Sequence, residues 1–109
     1  MKNSIVVELA LGKVKPGVNR EDYLQAAVAI EEDLRRMPGF ISRRILVGED
    51  GMWVDLIYWN NLEVFLRAAE EFQNIASAQT LFGLLDPGAN RMYHLELVYE
   101  DILAETSRA

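Results

Sequence analysis

The chain has 109 residues, 50% of them hydrophobic and 26% charged, with seven glycines, three prolines and no cysteine. That is a globular composition, which excludes a disordered or low-complexity scaffold, and the length predicts one domain spanning residues 1–109. Seventeen acidic against eleven basic residues give a formal charge of -6, without the clustered Lys and Arg that nucleic acid or an anionic membrane surface recruits.

No apolar run reaches the roughly 20 residues of a membrane span. The absence of cysteine removes disulfides, Cys-ligated zinc, iron–sulfur clusters and thiol nucleophiles, and makes a reducing cytoplasm the expected location.

Ile5 to Val14 alternates loosely, is rich in Val, Ile and Leu, and stops at Lys15-Pro16-Gly17, so it reads as a first strand. Asn19 offers an N-cap, with Glu21 and Asp22 in the first turn where they complement the helix dipole. Tyr23, Ala27, Ile30, Leu34 and Met37 recur at three-to-four spacing, which predicts one amphipathic helix over 20–37, ended by Pro38-Gly39. Residues 40–47 and 52–59 are apolar-rich strands around Gly48-Glu49-Asp50-Gly51, a hairpin signal.

Asn60 or Asn61 caps the next helix, with Glu63 placed to close a capping box on Asn60. Phe65, Ala68, Ala69, Phe72, Ile75 and Ala76 form its apolar stripe. Thr80 to Leu85 continues it or makes a separate turn before Asp86-Pro87-Gly88; residues 91–99 form a last strand, and Glu100 to Ala109 a fraying tail. The order βαββαβ predicts an α+β, ferredoxin-like sheet ordered fourth, first, third, second, with both helices on one face.

Both faces of that sheet carry residues that need burial. Ile5, Val7, Leu9 and Leu11, with Val54, Leu56, Tyr58, Tyr93, Leu95, Leu97 and Tyr99, make one face almost wholly apolar. The other carries Val6, Glu8, Ala10, Trp53, Asp55, Ile57, Trp59, His94, Glu96 and Val98. Either could take the helices, and the remaining one predicts a homodimer built sheet to sheet.

KVKPG after the first strand, MPGF before the second, WVDLIYW leading into a helix and the closing MYHLELVYE together resemble the dimeric α+β barrel superfamily, in its antibiotic-biosynthesis-monooxygenase-like branch. The resemblance covers nearly the whole chain. It implies that Trp59 points toward the helices, which puts Glu8, Asp55 and His94 in a cavity between sheet and helices and the Val/Leu/Tyr face in the dimer barrel. It also implies, for some members, oxygenation of polycyclic phenols without metal or flavin. Haem-degrading relatives use an Asn on strand one and a His on helix two; this chain offers Glu8 or Ala10 and no helix histidine, so that activity is not expected.

An even hairpin loop would keep Arg44 on the same side as Glu8, Asp55 and His94. Four ionisable groups on an otherwise apolar face need pairing or a use, which makes them the candidate catalytic set. His94, Glu8 or Asp55 would take a proton from a small aromatic or enolisable substrate, and Arg44 would hold the developing oxyanion. Trp53, Trp59, Phe65, Phe72 and Tyr23 would wall the substrate. The same residues also suit a non-catalytic binding module or a buried structural network. The chain contains no phosphate-cradling glycine loop, no GxSxG elbow and no Walker motif, and no cofactor is expected. A metal triad normally needs two histidines, and there is one.

Overall fold

A computed structural model describes residues 2–103. The elements run β1 (Val6–Gly12), α1 (Arg20–Val28), α2 (Glu31–Arg36), β2 (Phe40–Val47), β3 (Trp53–Trp59), α3 (Leu62–Phe72), α4 (Ala76–Gly83), a 3-10 turn (Pro87–Ala89) and β4 (Arg91–Glu96). The four strands form one antiparallel sheet ordered β2-β3-β1-β4, the ferredoxin-like arrangement expected from the element order.

The expected first helix divides in two. Ala29 and Ile30 stay in the right-handed helical region, and the apolar stripe Tyr23, Ala27, Ile30, Leu34 stays buried across the break. The Ala27 carbonyl accepts a hydrogen bond from the Arg43 guanidinium, an inserted side chain of the kind that interrupts an α-helical ladder. The second expected helix also splits, into α3 and α4. Asn61 caps α3 by accepting from the Val64 N–H at 3.0 Å, so the expected capping box between Asn60 and Glu63 is not formed. The last strand ends at Glu96, not residue 99; residues 100–103 have no regular structure, and the rest of the expected tail lies outside the described residues.

The core lies between the helices and one sheet face. Val6, Leu34 and Trp59 are its most completely buried large residues, joined by Trp53, Ile57, Phe65, Ala68 and Leu81. Trp59 therefore points toward the helices. On the opposite face Leu9, Leu11, Leu56 and Tyr58 are half-buried, while Tyr93 and Leu95 are exposed.

The β2–β3 hairpin sets which arginine joins the core. Gly51 N–H donates to Gly48 O at 3.0 Å and Gly48 N–H to Met52 O at 2.8 Å, leaving Glu49-Asp50-Gly51 as a three-residue loop. Gly51 sits at φ +86, the left-handed position that ends such loops. An odd loop pairs Arg43 with Ile57 and Arg44 with Leu56. Side chains alternate along a strand, so Arg43 points to the helices and Arg44 away from them. The placement of Arg44 beside Glu8 and Asp55, expected from an even loop, is thereby corrected.

Candidate functional site

A cavity of about 480 Å³ opens between the sheet and the helices. Its floor comes from the centre of the sheet: Glu8 on β1, Asp55 and Ile57 on β3 and Arg43 on β2. Tyr23, Ile30 and Leu34 from the first helical pair and Ala69, Phe72 and Leu81 from the second close it above. Strand register explains the grouping, because Glu8 lies opposite Ile57 on one side and His94 on the other, and Ala10 opposite Asp55 and Met92.

Arg43 and Asp55 form a two-pronged ion pair, Nε to Oδ1 at 2.9 Å and Nη2 to Oδ2 at 2.6 Å, with side chains only 10% and 15% exposed. Such a fork satisfies both partners and fixes their orientation. Glu8 is the one buried charged residue among the described residues, 7% exposed, and its Oε1 accepts from Trp59 Nε1 at 3.0 Å. Burial pushes the Glu8 carboxyl above its ordinary value; the Trp59 N–H opposes this, the Asp55 charge adds to it and Arg43 opposes it.

Tyr23 stacks against Trp53 with ring centroids 4.6 Å apart. Burial, aided by the Asp55 charge and opposed by Arg43, pushes its phenol up to about 12. The hydroxyl therefore stays protonated and able to donate at neutral pH, and among the described residues it makes no hydrogen bond.

The structure brings part of the expected set together. Glu8, Asp55, Tyr23, Trp53 and Phe72 line the cavity. Trp59 and Phe65 are buried core residues outside its lining; Trp59 acts through its N–H on Glu8. His94 lies opposite Glu8 in register but is exposed on the edge strand, stacked on Phe65 at 5.1 Å, and does not line the cavity. Arg44 sits on the other face, its guanidinium carbon 5.4 Å from the centre of the Tyr58 ring. Arg43 was not among the residues the sequence singled out; the signal was Gly51, whose left-handed position marks an odd loop. Among the described residues no group of three or more His, Cys, Asp and Glu side chains could hold a metal ion, and no helix is long and apolar enough to cross a membrane.

This architecture recurs in solved structures. SnoaB, a cofactor-independent oxygenase from Streptomyces nogalater, matches with a TM-score of 0.69 at 18% identity, covering 94% of this chain and 99% of that one. A proposed antibiotic biosynthesis monooxygenase from Bordetella bronchiseptica matches at 0.71 with 14% identity over 88% of this chain and 99% of that one. One from Caulobacter crescentus matches at 0.71 with 14% identity over 89% and 92%. No family model and no curated protein matches the chain in sequence. The fold is thus that of the antibiotic-biosynthesis-monooxygenase-like proteins, as the sequence resemblance implied; at these identities the likeness extends to the fold alone.

Proposed function

We propose that this protein binds a planar, mostly apolar metabolite with an acidic O–H or C–H bond, and oxygenates it with dioxygen and no cofactor. The observation that carries the reading is the buried Glu8 carboxyl in the floor of an apolar cavity large enough for a fused-ring ligand. Tyr23 and Trp53 supply flat walls. Glu8, raised toward neutrality by burial, takes the proton; Arg43, held by Asp55, and the Tyr23 hydroxyl stabilise the anion that forms. The electron-rich anion then reacts with dioxygen. One oxygen atom enters the ring carbon, and the two hydrogens lost leave with the other as water, giving a quinone. Likeness to a cofactor-independent oxygenase supports this chemistry. Asp55, tied up by Arg43, is a positioning residue in this scheme, and His94 and Arg44 stand outside it.

A second copy of the chain is the partner we propose for the apolar sheet face, since Leu9, Leu11, Leu56, Tyr58, Tyr93 and Leu95 lie together on it. An oxygen electrode tests the activity with a panel of polycyclic phenols. The reading predicts protein-dependent uptake of one dioxygen per quinone formed. Tight binding of the phenols without uptake would instead identify a ligand-binding module.

A further inference from the structure

The cavity beneath the helices opens along the β4 edge of the sheet. Met92 pairs with Ala10 there and so faces the helix side with Glu8; it lines the cavity and is 57% exposed, and Phe82 of α4 lines it and is exposed as well. A separate cleft of about 380 Å³ opens at the opposite edge, between the α1–α2 break and β2. Val28, Phe40, Ile41 and Ile45 give it apolar walls. Ser42 adds a hydroxyl, and the charges that border it, Glu31 and Arg35, neutralise each other at 3.0 Å.

Leu34 and Arg43 line both spaces. At those two points the partition between cleft and cavity is one side chain thick. Arg43 is fixed by three hydrogen bonds, two to the Asp55 carboxylate and one to the Ala27 carbonyl. Leu34 has no polar tie and stands on α2, a helix of six residues. Rotation about its side-chain bonds is therefore the low-cost way to join the two spaces, since buried side chains exchange rotamers even in a close-packed core.

We propose that dioxygen reaches the cavity from the β2 edge, through this cleft and past Leu34, while the planar substrate enters by the β4 mouth. A substrate that fills the cavity closes the mouth behind it, so the second reactant needs another way in. Dry apolar spaces take up small apolar guests, and an ion gains nothing from a border whose charges are already paired. Leu34 is the gate of this route. The inference rests on the cavity being the oxygenation site and deepens that reading.

Pyrene bound in the cavity tests the route without turnover, because it has no acidic O–H and dioxygen quenches its fluorescence on contact. The comparison is between wild type and Val28→Phe combined with Ile41→Phe. That pair fills the outer cleft from positions 48% and 46% exposed and leaves the core intact. Most of the dioxygen quenching should be lost in the double variant, with pyrene affinity unchanged. Iodide, a charged quencher confined to the open mouth, should act equally on both proteins. Leu66→Phe, at an exposed position of α3, should be quenched as wild type is. Dioxygen quenching that survives the filled cleft, or that falls only in step with iodide quenching, overturns the route while the aromatic cavity stands. Failure of pyrene to bind overturns the cavity reading and the route with it.

Discussion

At the scale of single residues, Glu8 carries the largest consequence. A carboxyl whose native pKa lies above its ordinary 4.5 favours the fold while it is protonated. That contribution is complete below the unfolded value and is lost as pH rises through the native one. Glu8→Gln keeps an oxygen to accept from Trp59 and has no charge to bury. Melting temperatures of the variant and wild type should therefore coincide near pH 4 and separate, in the variant's favour, toward neutrality. A constant difference across pH would show that Glu8 titrates as it does in water. The two adjacent arginines give an equally sharp contrast. Arg43→Ala strands the Asp55 carboxylate beneath the helices and should cost about 3–5 kcal/mol. Arg44→Ala loses a cation–π contact on the other face and should cost about 0.5–1 kcal/mol. Denaturant titration reads both, and similar losses would contradict the observed register. Neighbours on a strand point opposite ways, so one of the pair faces inward; the even loop expected from the sequence put Arg44 there, and the observed three-residue loop puts Arg43 there instead.

At the scale of elements, the order and spacing of strands and helices were legible because period-two and period-3.6 patterns survive in the letters. Gly and Pro clusters also marked the stops. What escaped was made by tertiary contact. The break between α1 and α2 follows the carbonyl that Arg43 takes from strand β2, an interaction no local pattern encodes. Likewise the choice between Asn60 and Asn61 as cap is settled by the Asn60 N–H, which bonds the Gly39 carbonyl at 2.8 Å and so ties the end of β3 to the turn before β2. Gly39 and Gly51 both sit at positive φ, yet they differ in surroundings. A Cβ on Gly51 meets open space, whereas one on Gly39 would strike the branched side chain of Val64. Gly51→Ala should then cost only backbone strain, about 1–2 kcal/mol, and Gly39→Ala clearly more. Equal destabilisation by thermal melting would mean that the Gly39–Val64 approach relaxes freely.

At the scale of the whole molecule, the sheet separates two environments: charged groups beneath helices on one side, apolar side chains open on the other. The candidate site was legible only so far as Glu8, Asp55 and the aromatic walls share a face. Arg43 joins them only because the β2–β3 hairpin closes on a three-residue loop, and that choice left no periodic trace. The open face predicts self-association, and Leu95→Glu, which places a charge on its exposed β4 edge, should move the sedimenting species from dimer to monomer. A wild-type chain that sediments as a monomer at micromolar concentration would remove the proposed partner. The central claim is that a buried carboxyl starts oxygenation inside the cavity. Its most direct measurement is dioxygen uptake by wild type and Glu8→Gln at equal occupancy by one polycyclic phenol. We expect a loss of about 100-fold, the lower range for a missing general base, with ligand affinity little changed. Undiminished uptake by Glu8→Gln would contradict the account.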